Sequence, residues 1–230
     1  MNAFEKAWVL VTSQDLMLQN IVKTTLEMAF SSSAIALLLG VLIGLVVAYN
    51  DFPGKKIVVV IMRTLMGLPP VVVGIVVYIL FSGTGPFGYL KLIYSVDLMI
   101  IAQVVLITPI VAGMTETSLS PLVDRMRPTL KGLNLSLPKK TALVLFEGKY
   151  QLIAVYLFAF ARAISEVGAI QIVGGNILNK TRTMTTAIAL NYNTGDFSLA
   201  VALGIILLAI ALGVNLVAGL LQIGLKKRND

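Results

Sequence analysis

Five long apolar segments dominate this sequence and limit what it can fold into. They occupy approximately residues 21–49, 57–82, 97–118, 149–175 and 198–225. A run of 18 or more apolar residues is typical of a transmembrane helix, because about 20 residues at a rise of about 1.5 Å each cross a hydrocarbon layer of roughly 30 Å. The sequence therefore predicts an all-α integral membrane protein with five transmembrane helices.

The composition agrees with a membrane protein and excludes several kinds of chemistry. Of the 230 residues, 57% are hydrophobic and 13% are charged, whereas about 25% of an ordinary soluble domain is charged. The chain has no cysteine and no histidine, which removes disulfides, thiol nucleophiles and the commonest general base. No G-x-x-x-x-G-K-[ST] phosphate loop occurs. We therefore predict no catalytic residue, metal or cofactor in this chain, and any use of ATP would need another protein.

The positive charges cluster on one side of the predicted topology. The net charge of +7 would suggest nucleic acid as a partner of a soluble protein, but membrane proteins concentrate Lys and Arg in cytoplasmic loops. Most of the Lys and Arg residues of this chain lie after the first span, after the third span or at the C-terminal end. They are Lys55, Lys56, Arg63, Arg125, Arg127, Lys131, Lys139, Lys140, Lys149, Lys226, Lys227 and Arg228. The opposite side has Lys6, Lys23, Lys91, Lys180 and Arg182. We predict a cytoplasmic C-terminus and 119–148 loop, an external N-terminus and 176–197 loop, and no nucleic-acid partner.

Residues 1–20 precede the first span and are predicted to lie outside as a short interfacial helix. Their apolar stretch, AWVLV, is short, and no basic region comes before it. Both features argue against a cleavable signal peptide. Trp8 suits an anchor at the membrane interface.

The 119–148 loop is the longest segment between predicted spans. It mixes basic residues with regularly spaced Leu and Val, which is compatible with a structured platform or with an amphipathic linker on lipid headgroups. Pro128 suits the first turn of a helix. Gly132 and Pro138 would then divide the segment into short pieces.

Two charges stand inside the fourth span. Arg162 and Glu166 are one helical turn apart in FARAISEVGA, so they can pair on one helix face. A charge at the centre of a bilayer costs roughly 2.5–3.5 kcal/mol, so both must face protein or water. The sequence leaves two interpretations open: a structural ion pair that fixes helix packing, or a polar element beside a substrate path.

Glycine and proline interrupt the second and third spans. Pro69 and Pro70 lie in GLPPVVVG, and Pro109 lies in ITPIVAG. Such interruptions kink a helix, and they also mark substrate paths in transporters. A simple kink that improves packing remains the alternative.

The polar external segment 174–198 contains Lys180 and Arg182 and predicts a short helix at about 183–191. It is either a plain loop or a contact surface for an extracytoplasmic partner.

Three sequence blocks resemble a known family. They are LMGLPPVVVGIVVYILFSGTGPFG, FARAISEVGAIQIVGGNI and TRTMTTAIAL. Together they resemble the membrane permease subunits of ABC importers for oxyanions, in the molybdate, tungstate and sulfate group. The first two blocks are most similar to the tungstate importer permeases. The resemblance runs from about residue 18 to the end and so covers most of the chain.

The resemblance implies a type I ABC importer fold, similar to the molybdate permeases, with residues 1–230 as one permease domain. Two permease copies would form the pore, two cytoplasmic ATPase subunits would bind ATP and Mg²⁺, and an extracytoplasmic binding protein would deliver the anion. The implied location is the prokaryotic cytoplasmic membrane, in contact with its lipid. The implied function is import by alternating access, with tungstate as the first expectation and molybdate or another anion as the alternative.

The resemblance also implies residues that contact the ATPase. In this family the cytoplasmic loop carries a pair of short coupling helices, and the family glycine maps to Gly132. The sequence departs from the family pattern, because DRMRPTLKG replaces an acidic-Ala-Ala start and LFEGK stands near the expected Leu-Pro. The predicted coupling residues are Arg127, Pro128, Thr129, Leu130, Lys131, Gly132, Leu133, Asn134 and Leu135.

A second set of residues is predicted to line the translocation path or to support its core. It comprises Pro69, Pro70, Pro109, Arg162, Glu166, Gly168, Gly174, Gly175 and Asn176. Two other classes of function remain open on the residues alone. A passive anion channel would use the same spans but not a basic cytoplasmic platform, and an intramembrane enzyme would need more convergent polar groups than these spans contain.

Overall fold

The computed structural model describes residues 3–13, 15–132 and 136–227, and within these ranges the chain is helical without a β-strand. The helices, in chain order, are α1 Ala3–Thr12, α2 Leu16–Tyr49, α3 Lys55–Leu65, α4 Pro70–Phe81, α5 Val96–Gly132, α6 Leu137–Glu147, α7 Lys149–Ile164, α8 Gly168–Gly174, α9 Met184–Asn193 and α10 Phe197–Lys227. A 3-10 turn at Gly88–Leu90 lies between α4 and α5. The all-α prediction is confirmed for the described residues.

Three of the described helices are long and apolar enough to cross a membrane. They are Leu16–Tyr49, Val96–Leu130 and Phe197–Leu216. Two further pairs pass the same test only if each is counted as one bent span: α3 with α4, which meet at 92°, and α6 with α7, which meet at 71°. The described chain therefore has three to five candidate spans.

Helices α2 and α5 pack closely through two glycines. A Cβ atom at Gly40 would come within 2.6 Å of the Val111 side chain, and one at Gly44 would approach the backbone of α5 at Ala112. The two glycines form a G-x-x-x-G pattern, which lets helix backbones approach in lipid, where the surrounding tails are as apolar as the side chains. This contact places the two longest described helices side by side.

The main apolar core surrounds α7 and α8. Phe160, Met28, Leu98, Met99 and Ile170 are at most 1% exposed and belong to one buried cluster contributed by α2, α5, α7 and α8. The Phe30 and Phe160 rings also stack, with centroids 4.6 Å apart. The interrupted helix pair α7–α8 is thus at the centre of the described fold.

Helix α5 continues well past the predicted third span at 97–118. It runs to Gly132 with Pro109, Pro121 and Pro128 inside it, so the expectation that Pro128 begins a separate helix is wrong. Each proline removes one helical hydrogen bond, but packing against neighbouring helices compensates for the loss. Leu119, Val123 and Leu130 on this extension pack against α2 and α6.

An ion-pair cluster ties the α5 extension to the segment between α2 and α3. Arg127 pairs with Asp51 and with Asp124, and Lys55 also pairs with Asp51. The hydrogen bond from Arg127, followed by that from Lys55, holds the pKa of the Asp51 carboxyl below its usual value. This cluster orients the last turns of α5 relative to the start of α3.

The remaining segments follow the sequence expectations with small differences. Helix α1 lies within residues 1–20, and α9 at Met184–Asn193 matches the short helix expected at about 183–191. The predicted fourth span at 149–175 is not one helix, because residues 165–167 separate α7 from α8.

Replacing Gly40 by Val should destabilise the helix bundle, because the new side chain overlaps Val111 on α5. Overpacking of this kind costs about 1–3 kcal/mol. The measurement is the thermal unfolding temperature of the purified chain in detergent. Gly213→Val in α10 is the matched control, since a Cβ there meets no atom within 4 Å. Equal unfolding temperatures for the two variants would contradict the close α2–α5 packing.

Candidate functional site: two facing helix breaks

Two interrupted helices place their breaks against each other. The first break separates α3 from α4, and the second, at residues 165–167, separates α7 from α8. A Cβ atom at Gly74 would lie 2.8 Å from the Cα of Ala169, and one at Gly168 would lie 2.9 Å from the Val71 side chain. The first turns of α4 and α8 are therefore in direct contact.

The break before α4 follows from the two adjacent prolines. Pro69 is extended, with φ −65° and ψ 122°, and Pro70 occupies the first turn of α4. A residue before proline is disfavoured in the helical conformation, while proline itself suits the first helical turn. The predicted kink is thus a 92° change of direction between α3 and α4.

The break after α7 is held by the Glu166 carboxylate. Its Oε2 accepts a hydrogen bond from Arg162 Nη1 at 2.6 Å, and its Oε1 accepts one from the backbone N–H of Ala169 at 3.1 Å. Glu166 is 3% exposed. One side chain therefore joins the end of α7 to the start of α8, and each of its oxygens has a partner.

The predicted pairing of Arg162 with Glu166 is confirmed, but its setting differs from the prediction. Helix α7 ends at Ile164, so the two residues do not share one continuous helix. The ion pair instead bridges the end of the helix. The Arg162 side chain is 29% exposed and the Glu166 side chain 3%, so the arginine lies on the open side of the pair.

The carbonyl groups freed by the break also have partners. Gln103 of α5 is fully buried and donates from Nε2 to the carbonyl oxygen of Ala163 at 3.3 Å. The hydroxyl of Ser165 donates to the carbonyl oxygen of Arg162 at 3.1 Å. These contacts satisfy backbone groups that the end of α7 would otherwise leave unpaired in an apolar environment.

A buried cluster of threonines connects the break to α9 and α2. Thr185 donates to the carbonyl oxygen of Glu166 at 2.7 Å, and Thr25 of α2 accepts from the backbone N–H of Met184 at 2.9 Å. Thr183 and Thr186 form a reciprocal capping box at the start of α9. Sequence reasoning missed this role, although the density of Thr in TRTMTT was a visible signal.

The predicted path residues Gly174, Gly175 and Asn176 lie at the far end of α8 from Glu166. Gly175 ends the helix with a φ of +70°, and a Cβ at Gly174 would meet the Met99 side chain at 2.6 Å. Asn176 accepts from Arg182 Nε at 3.2 Å. The structure therefore joins this group to Arg182, whereas Gly168 lies at the break beside Glu166.

Pro109 is the remaining predicted path residue. It lies inside α5, next to Thr108, whose carbonyl oxygen faces Gly40 of α2. The structure thus places Pro109 at the α2–α5 contact and not with the pair Arg162–Glu166.

Known proteins of related sequence identify the family. No family model matches the chain. The tungstate uptake system permease protein TupB of Peptoclostridium acidaminophilum is 35% identical over 207 residues, covering 89% of this chain and 90% of that protein. A probable anion ABC transporter permease of Haloferax volcanii is 36% identical over 80% of this chain and 82% of that protein. The TupB protein of Campylobacter jejuni is 33% identical over 90% of this chain and 86% of that protein.

The chain belongs to the ABC transporter permeases. The family resemblance stated from the three sequence blocks is confirmed by these relatives. Together with the apolar helices, the relatives establish a multi-pass protein of the prokaryotic inner membrane.

The predicted coupling residues of this permease lie mostly in a helix and not in a loop. Residues 127–132 form the last turns of α5, while Leu133, Asn134 and Leu135 fall outside the described residues. Arg127 pairs with Asp51, and Leu130 packs against α2 and α6. The helix is extended here because its inner side buries Leu119, Val123 and Leu130.

The permease contains a second ion pair with a mostly buried carboxylate, which sequence reasoning missed. Arg63 of α3 lies 3.6 Å from Glu116 of α5, whose side chain is 10% exposed. The Glu116 carboxylate also accepts from Thr117 and Ser120. The sequence signal for this ion pair was the carboxylate of Glu116, which lies near the end of the third apolar segment.

Replacing Glu166 by Ala should impair assembly of the permease, because Arg162 loses its partner and the N–H of Ala169 loses its acceptor. Breaking a buried pair costs about 3–5 kcal/mol, and we expect the lower end because Arg162 is partly exposed. The measurement is the yield of folded chain together with its thermal unfolding temperature.

The controls for this variant distinguish charge from packing. Glu147→Ala removes an exposed carboxylate at the end of α6 and should have little effect on the yield or the unfolding temperature of the isolated chain. The double variant Arg162→Gln, Glu166→Gln keeps an acceptor for Ala169 and leaves no unpaired charge, so it should recover most of the lost stability. If Glu166→Ala assembles and transports like the unchanged chain, the ion pair does not hold the break.

Proposed function

We propose that this permease is the membrane-spanning subunit of an ATP-driven importer that moves tungstate across the cytoplasmic membrane. The observation that carries the proposal is the likeness to two tungstate uptake permeases, at 35% and 33% identity over about nine-tenths of this chain. The related anion permease of Haloferax volcanii supports the wider class of anion substrates.

The proposed topology has five spans. They are α2, the bent pair α3–α4, α5, the interrupted pair α7–α8, and α10. The distribution of Lys and Arg supports a cytoplasmic C-terminus and an external N-terminus. In this arrangement α6 and the last turns of α5 lie in the cytoplasm, and α9 with the threonine cluster lies toward the outside.

The proposed complex contains two copies of this permease, two ATPase subunits and one binding protein. The ATPase subunits bind ATP and Mg²⁺, since this sequence contains no phosphate-binding loop. Residues 127–135 and α6 form the surface that contacts the ATPase. The ion pair between Arg127 and Asp51 then links movement of that surface to the start of α3.

The facing helix breaks are the proposed position of the anion path. The Arg162 side chain is 29% exposed beside the break, and weak polar contacts suit an oxyanion that must leave as well as enter. Glu166 compensates the charge of Arg162, so the break presents a polar surface without an uncompensated cation that would trap the anion. During alternating access, α4 and α8 would move together, because their first turns are in contact.

Transport in reconstituted vesicles tests the proposed function. We expect that the chain, its ATPase and its binding protein in liposomes show ATP hydrolysis stimulated by tungstate at lower concentration than by molybdate or sulfate. Uptake should require ATP, with vesicles lacking either ATP or the binding protein as controls. Equal stimulation by molybdate would make the permease a general oxyanion path. Anion flux that proceeds without ATP would instead establish the passive channel.

Labelling of single cysteines tests the proposed topology. The chain has no native cysteine, so Lys139→Cys in α6 and Lys180→Cys between α8 and α9 each introduce one thiol at an exposed position. A membrane-impermeant maleimide added outside intact cells should label Lys180→Cys and not Lys139→Cys. After the membrane is permeabilised, both cysteine variants should be labelled. The reverse pattern would invert the topology and remove the proposed ATPase surface from the cytoplasm.

A further inference from the structure

A large apolar groove lies between α1, α2 and α10. Its volume is about 1220 Å³, above the range of about 300–1,000 Å³ that is typical of sites for small molecules. Apolar residues of all three helices line it, including Phe4, Trp8, Leu26, Phe30, Ile206 and Ile210. The groove therefore suits a long apolar ligand.

Two opposite charges lie on the α2 side of this groove, between Val22 and Phe30. Lys23 and Glu27 both line it, and both are exposed. They are four residues apart on α2 and so lie on the same helix face. In the described part of the chain, neither side chain makes a hydrogen bond or an ion pair with protein. One cation and one carboxylate are thus available to a ligand.

The sequence of α2 places these charges at the level of lipid headgroups. Residues 28–48 of α2 contain no charged side chain, and at a rise of about 1.5 Å per residue they extend for about 32 Å, close to the thickness of the hydrocarbon layer. Lys23 and Glu27 lie just beyond this apolar stretch. Phe30, the last α2 residue that lines the groove, lies within it.

We propose that this groove binds one phospholipid with a zwitterionic headgroup, specifically a phosphatidylethanolamine. The phosphate contacts Lys23, the ammonium group donates to Glu27, and an acyl chain lies along Leu26, Phe30 and Ile210. Glu27 disfavours an anionic headgroup that carries no ammonium, because the like charge would lie beside the carboxylate. The bound lipid connects α1 to the rest of the bundle. This site does not depend on which anion the permease transports.

The single tryptophan of the chain provides the probe. The sequence contains one Trp, and this residue, Trp8, lines the groove. The full chain is reconstituted into vesicles of phosphatidylethanolamine and phosphatidylglycerol, in which one or the other lipid carries brominated acyl chains that quench Trp fluorescence. We expect stronger quenching by brominated phosphatidylethanolamine than by brominated phosphatidylglycerol at the same mole fraction. The relative association should favour the former by roughly 1.5-fold to fivefold, as for one exposed ion pair between the ammonium group and Glu27, because both lipids present a phosphate to Lys23.

Two pairs of matched variants test the two parts of the site. The double variant Lys23→Gln, Glu27→Gln should abolish the preference between the two lipids, whereas Lys180→Gln, a change at an exposed lysine elsewhere, should retain it. Ala209→Phe adds a ring inside the groove and should lower quenching by both lipids. Leu208→Phe, on the same helix at an exposed position that does not line the groove, should not.

Three results would overturn the proposal. The first is equal quenching by the two brominated lipids in the unchanged chain. The second is equal quenching in Ala209→Phe and Leu208→Phe. The third is a disulfide between two chains that forms readily in Ala209→Cys vesicles and not in Leu208→Cys vesicles, since it would place a second copy of this chain in the groove.

Discussion

The Glu166 carboxylate makes the contacts on which the central part of this permease depends. In a hydrocarbon environment, each backbone N–H and C=O group needs a partner within the protein, and an interrupted helix leaves several of them free. Glu166 provides an acceptor for the start of α8 and a counter-ion for Arg162 at the end of α7. Gln103 and Thr185 complete the arrangement from α5 and α9. The break is therefore a defined structure that α5 and α9 support, and not merely a flexible point in a span.

Close backbone contact is the second constraint on the fold. Because lipid is as apolar as the side chains, helices in a membrane gain little from burying apolar surface and depend on packing. Gly40 and Gly44 bring α2 against α5, and Gly74 and Gly168 bring α4 against α8. The first contact forms the long supporting pair. The α4–α8 contact brings the two helix breaks together. Glycine contacts of the same kind therefore form both the supporting α2–α5 pair and the candidate path.

The ion pairs Arg162–Glu166 and Arg63–Glu116 have different surroundings, and this difference fits different roles. Glu166 is almost fully buried and bonded to backbone groups, so it acts within the α7–α8 break. Glu116 lies near Arg63, whose side chain is 60% exposed, and it connects α3 to α5. Helix α5 therefore has two separate polar connections toward α3, one through Arg63–Glu116 and one through Arg127, Asp51 and Lys55.

The sequence by itself determined the apolar segments, the helical class, the charge asymmetry, the proline kink and the pairing of Arg162 with Glu166, because hydrophobic length, charge and proline chemistry are local properties. It also carried enough family resemblance for the type of subunit to be recognised. Only the tertiary structure decided that α7 ends before Glu166, that α5 continues through Pro128 to Gly132, and that Thr25 and Thr185 support the break. It also separated Gly168, at the break, from Gly174 and Asn176, which lie at and just beyond the C-terminal end of α8. These features depend on contacts between residues far apart in the chain, such as Thr25 with Met184, and spacing along a single helix does not reveal them.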